Sequence, residues 1–332
     1  EYGVDDERIK EFFPVDAVVE GAMEIYQRLL GLTFQRLHDF DSWHESLQLY
    51  IVHDVATKEL IGHFYLDLHP RDGKYNHAAI FHLLKRSGDQ APVDCMVANL
   101  PAPSADGTPA LLRHSDVVTF FHEFGHIMHG LCAVGDANST RHAKCPRDFV
   151  EAPSQMLENW CWQPSVLAKM SRHYKTGEPL PPALVADMVK AKHVNVALFT
   201  LRQIYLSTLD MRLHSATPPT TVEEIQQLVD TLRPEVSLFP NPPGCNMLRS
   251  FGHLMNQYSA SYYGYLWAEV LSADMFHTRF DAEGVENPDT GRSYRDLILA
   301  PGGVGDIADH VANFLGRPPE NTHFLRSRGL IQ

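Results

Sequence analysis

The stretch SDVVTFFHEFGHIMHGL, residues 115–131, carries two patterns at once. Val117, Val118, Phe120, Phe121, Phe124, Ile127, Met128 and Leu131 cover most of a helical circumference, which predicts a buried helix over 115–134. Ser115 and Asp116 suit its start, since a hydroxyl caps free amides and a carboxylate meets the positive end of the dipole. Thr119, His122, Glu123, His126 and His129 nevertheless run down one side at three- and four-residue spacing. Ionisable groups on a buried helix need partners, because unpaired buried charge is expensive.

A divalent metal supplies one. His122 and His126 project from the same face about 6 Å apart along the axis, so two imidazoles can meet one zinc ion. Glu123, offset by about 100° of rotation, reaches a water activated by the ion instead of the ion itself. This is the HExxH arrangement, here HEFGH. His129 lies about 10.5 Å along the axis from His122, too far to share the ion, and is expected in a supporting or cleft position. Cys132 stands where the longer HExxHxxGxxH pattern places a third histidine. Downstream, FVEAPSQMLENW (149–160) sets Glu151, Gln155 and Glu158 on one helix face. Glu151 is the best third ligand, because three protein ligands leave a fourth position open.

Outward from this segment the chain changes character. Residues 14–30 have apolar residues at helical spacing, and Gly31 is placed to stop that helix. Leu47–Ile51, Ile61–Leu66 and Cys95–Leu100 read as strands of a small sheet within about residues 45–100, and the Pro-rich 101–109 as a loop. Helices are expected at 149–161, 164–174, 182–215, 222–232, 257–280 and 304–315, with Pro-rich breaks at 217–219 and 240–243. Strands preceding helices make this a mainly α, α+β chain, and 332 residues allow one large or two ordinary domains.

Composition narrows the partners. The chain has 332 residues, 44% hydrophobic and 21% charged, which is the make-up of a folded protein. Its 28 Lys and Arg against 41 Asp and Glu leave −13, which argues against nucleic acid or an anionic membrane and favours cationic or neutral substrates. No apolar run reaches bilayer-spanning length. Five cysteines without a CxxC pair point to reduced thiols. With no leader-like start, this predicts a cytoplasmic location, while a beginning at Glu1 leaves a removed mitochondrial segment open.

The string HEFGHIMH followed by RDFVEAPSQMLENW resembles the thimet oligopeptidase and neurolysin family of zinc metallopeptidases. Further matches are FYLDLHPRDGKYNHAA (64–79), MVANL (96–100), PEVSLFPNPPG (234–244), FGHLM and YYGYLWAEV (251–270) and MFHTRF (275–280). The resemblance implies a zincin-like catalytic domain holding one Zn2+ on His122, His126 and Glu151, with Glu123 as general base. It implies His253 and Tyr265 as catalytic groups over the oxyanion, and Tyr258 and Tyr262 as substrate-binding tyrosines. These tyrosines share one helical face only if their helix starts early enough. Asn256 and Gln257 stand where relatives carry paired glycines, which should restrict that loop. Relatives are also about twice as long, so the chain corresponds to their C-terminal half and lacks the helical N-terminal half, itself a potential partner.

The resulting expectation is a zinc endopeptidase cutting internal bonds of short unstructured peptides. A dipeptidyl carboxypeptidase or organellar processing peptidase of the same family stays open, because the zinc motif does not report where cleavage falls. From another class, the chain could be a zinc-bound, inactive half-protein that binds peptides.

Overall fold

In the computed structural model, which describes residues 4–104, 106–134 and 145–331, strands come first and helices follow. A short helix α1 (Asp6–Ile9) leads into α2 (Val15–Leu30), which ends at Gly31 with φ +64°. Only a residue without a Cβ takes that left-handed angle without cost, so the predicted stop is where it was expected.

Five strands follow: β1 (Leu32–Leu37), β2 (Gln48–Asp54), β3 (Leu60–Asp67), β4 (Ala79–Leu84) and β5 (Val93–Val97). Their order across the sheet is β1-β2-β3-β5-β4, antiparallel except for the β3–β5 pair. The three expected strands are β2, β3 and β5, while β1 and β4 went unread. LTFQRL buries only Leu32, and AIFHLL turns four of its six residues to solvent at the sheet edge. Neither shows the alternation of a half-buried strand.

The helices are α3 (His114–Cys132), α4 (Ala152–Glu158), α5 (Pro164–Met170), α6 (Pro182–Ala191), α7 (Val196–Leu213), α8 (Val222–Ser237), α9 (Gly264–Met275), α10 (Pro288–Tyr294), α11 (Ile307–Leu315) and α12 (Thr322–Ser327). The mainly helical α+β reading holds, with corrections. The expected 182–215 helix is two, separated around Asn195, whose φ of +59° breaks the helix. Helix α8 runs on to Ser237 through Pro234. The 257–280 segment becomes α-helical only at Gly264 and passes through a π-helical stretch, Phe276–Asp281. Helix α3 begins one residue before Ser115, because Asp116 accepts from the Arg113 amide at 3.0 Å.

Helix α3 is the centre of the main core. Phe124 packs against Tyr26 of α2 (ring centroids 4.7 Å) and Phe64 of β3 (5.3 Å), and each such buried ring contributes about 1.5–3 kcal/mol. On its other side α3 meets α4 at Gly125, where a Cβ would come within 2.7 Å of the Ser154 Cα. That close approach brings the start of α4 beside His122 and His126. A second, smaller cluster joins α7 and α8 to the segment that precedes α9, through Tyr205, Leu206, Leu209, Val229, Leu232, Phe251, Leu254 and Tyr262.

Candidate active site

Three side chains converge where α3 meets α4. His122 Nε2 lies 3.3 Å and His126 Nε2 3.2 Å from Glu151 Oε2, and all three candidate donor atoms fall within 4.8 Å of one another. Two donors each about 2.0–2.1 Å from a tetrahedral zinc sit about 3.3 Å apart, so the separations fit a shared ion. Glu151 immediately precedes α4, and Ser154 Oγ donates to its carbonyl and carboxylate at 2.9 and 3.2 Å. Burial opposes its ionisation, but the two imidazoles outweigh this and hold the carboxyl well below the usual carboxylate range. His122 is conversely pushed well up, with burial overcome by Glu151 and Glu158.

Glu158, read from the sequence only as a face-mate of Glu151, accepts from His122 Nδ1 at 2.7 Å. A proton held on Nδ1 leaves the Nε2 lone pair directed at the ligand cluster. The sequence offered Glu158 only through its place seven residues from Glu151, two turns along one face, and not through its contact with His122.

Glu123 is 7% exposed and belongs to no ligand pair, and burial raises its pKa. A carboxylate so placed is a stronger base than one in water. His129 is fully buried against Phe149, and burial, with His126 and His82 nearby, pushes its pKa to about 3. It is therefore a neutral ring beneath the site and not a cleft residue.

The turn before α9 brings in the opposite wall. Tyr258 donates its hydroxyl to Glu151 Oε1, and its ring stacks on Tyr265 at 5.0 Å and 14°. His253 Nε2 is 3.4 Å from the Tyr265 hydroxyl. Burial raises the pKa of both phenols and lowers that of His253, which keeps the tyrosines as O–H donors and the imidazole neutral. Tyr262 is buried in the second cluster, its ring 5.1 Å from Phe251, and does not line the cleft. With α9 starting at Gly264, Tyr258 and Tyr262 stand in the turn before it and Tyr265 in its first turn, so the three do not share one helical face.

The cleft in front of the ligands is lined by Tyr75, Ala78–Ile80 and His82 on one side and by His253, Asn256–Tyr258 and Tyr265 on the other. Arg147 and His82 are among the lining residues that were not singled out from the sequence. Arg147 holds its guanidinium 5.2 Å from the Tyr258 ring centroid, and the quoted RDFVE string already contained it. His82, on edge strand β4, pairs with the buried Asp94 at 2.7 Å. All five cysteines are unpaired, and only Cys245 is exposed. Among the described residues no helix is long and apolar enough to cross a membrane.

The sequence profile of Peptidase family M3 matches residues 1–330. Saccharolysin of Saccharomyces cerevisiae is 43% identical over 99% of the chain and 48% of its own length. Thimet-like oligopeptidase of Dictyostelium discoideum is 42% identical over 99% and 50%, and oligopeptidase A of Escherichia coli 38% over 99% and 49%. The chain thus spans about half the length of the curated relatives it matches. Among solved structures, an M32 carboxypeptidase from Deinococcus radiodurans R1 superposes on 95% of the chain and 58% of its own, with TM-score 0.55 and 13% identity. A likeness at that identity concerns the fold.

Proposed function

The chain belongs to Peptidase family M3, and from that premise we propose that it is the catalytic part of a zinc endopeptidase that cleaves internal bonds of short, unstructured peptides. One observation carries the reading: two histidine nitrogens within 3.3 Å of one glutamate oxygen, beside a buried glutamate that is no ligand. Residues 1–332 act in this reading as one catalytic domain, with His122, His126 and Glu151 as the holders of a single zinc.

When bound, zinc supplies the Lewis acid that lets a water ionise near neutral pH and polarises the scissile carbonyl. The Glu123 carboxylate accepts the proton of the attacking water and later delivers it to the leaving amine. Tyr265 donates its hydroxyl to the developing oxyanion, and His253, with Nε2 3.4 Å from that hydroxyl, stands beside it as the second catalytic group over the oxyanion. Tyr258 steadies Glu151 through its hydroxyl and presents its ring to substrate. Tyr262 contributes from beneath, by packing the turn. Strand β4 is a sheet edge along the cleft, so an extended peptide can pair with its backbone.

Glu123→Gln is expected to retain one zinc per chain and lose peptide hydrolysis by about 100-fold or more, while His126→Ala loses both. Metal analysis beside cleavage of a quenched peptide decides. Retained turnover in the first variant removes Glu123 from its role. Arg147 in the cleft favours a second reading, in which its guanidinium receives a substrate C-terminus and the products are C-terminal dipeptides. Mass spectrometry of the products separates the two.

A further inference from the structure

We propose that Asp210 is a positioning residue for this reaction, setting the turn that carries Tyr258 to Glu151 and leads Tyr265 into the cleft. The proposal rests on the preceding reading, in which those tyrosines serve catalysis.

Asp210 lies on α7, outside the metal cluster, and is fully buried. Its two carboxylate oxygens accept from backbone amides of the turn: Oδ1 from Ala260 at 3.0 Å and Oδ2 from Tyr262 at 2.9 Å. His214, one helical turn on, is 3.0 Å from Oδ1. Residues 256–263 form neither α-helix nor strand; the amides of Tyr258, Ser259 and Ser261 are satisfied within the turn, whereas those of Ala260 and Tyr262 are satisfied by Asp210, and a carboxylate accepting from both is the strong form of that bond.

The conformation held is not one the turn takes freely. Ala260 has φ +57°, in the left-handed region where a Cβ is disfavoured. The turn is also stretched between two bodies, with Tyr262 in the second cluster and the Tyr258 hydroxyl on Glu151 in the first. Asp210 is a charged link from α7 to the turn, and Tyr258 carries the turn on to Glu151, so that packing of the α7–α8 pair sets where the tyrosines stand.

Asp210→Asn tests this with little change of shape, since one oxygen becomes an NH2 that cannot accept from a facing amide. In the zinc-loaded chain, amide exchange across 258–263 is expected to rise about tenfold, with α3 and α7 unchanged. Because Tyr258 steadies Glu151, the zinc Kd is expected to rise about threefold to tenfold at unchanged stoichiometry. For a quenched peptide kcat is expected to fall about 10- to 100-fold with KM nearly constant. Adding Ala260→Gly, which relieves the left-handed strain, is expected to recover part of kcat.

Unchanged exchange in the turn overturns the proposal. So does a rise spread equally over α7 and α8, or an altered turn with unaltered kcat. If the unmodified chain cleaves no peptide, the proposed function fails by itself, and exchange together with zinc affinity still decides on Asp210.

Discussion

At His122 an imidazole is caught between two carboxylates, Glu151 at Nε2 and Glu158 at Nδ1. The second contact decides what the first can be, because a ring with its proton held at Nδ1 offers only a lone pair at Nε2. Glu158→Ala is therefore expected to weaken zinc binding about 10- to 100-fold without removing a ligand. Competition against a chelator of known affinity measures it, and an unchanged Kd would remove Glu158 from the site. The shared face of His122, Glu123 and His126 was legible from spacing, since a helix converts sequence interval directly into direction, whereas Glu151, 25 residues beyond His126, entered as a candidate of the next segment and through the family resemblance. The partnership of Glu158 with His122 was not, because 36 residues separate them and only the crossing of α3 over α4 makes them neighbours.

That crossing is set by one small residue. At Gly125 an added Cβ would lie 2.7 Å from the Ser154 Cα and 3.1 Å from the Pro153 carbonyl, both backbone atoms that cannot rotate away. Gly125→Ala should improve α3 as an isolated helix and still cost about 1–3 kcal/mol through overpacking. Because Glu151 directly precedes α4, pushing the helices apart also separates the donors, and zinc affinity is expected to fall at least about tenfold. Near-wild-type helix content with weakened metal binding is the expected pair of observations, by circular dichroism and zinc titration. Elements buried on one face were readable because their pattern is internal: α3, α2, and strands β2 and β3 carry it in their own residues. Strands β1 and β4 are specified by neighbours to which they hydrogen bond, and their side chains are largely exposed. The start of α9 was likewise hidden, since the turn before it takes its shape from Asp210, some fifty residues earlier.

Two buried aspartates close the ends of sheet strands, and Asp54 ties its strand to a distant part of the chain. Asp54 at the end of β2 accepts from Arg295 at 2.6 Å and caps the following turn through the Ala56 and Thr57 amides. Asp67 at the end of β3 pairs with Arg71 and with the buried Lys74, which also donates to the Asp67, His69 and Ala98 carbonyls. In each aspartate burial opposes ionisation and the donors outweigh it, lowering Asp54 far below the usual range and Asp67 to about 2. A depressed native pKa gives stability that is full above the unfolded value near 4 and lost as pH falls through the native one. Asp67 accounts for about 2 kcal/mol of this, so urea midpoints should hold above about pH 5 and fall from about pH 4 toward 2. Asp67→Asn should flatten that fall. The half-length match sets a further expectation: this chain alone binds short peptides more weakly, or selects less sharply by length, than a chain of its relatives' full length. Equal kcat/KM with the same upper size limit in both would refute it, and binding without cleavage by this chain would mark it as a peptide-binding half. Strand β4 brings a liability along with its place in the cleft. Phe81, Leu83 and Leu84 stand exposed on an edge whose backbone can template another strand, so copies of the chain compete with peptide for the same rail. Colloidal behaviour and occupancy are thereby coupled: concentrated protein kept without peptide should cloud first, and a bound peptide should keep it clear.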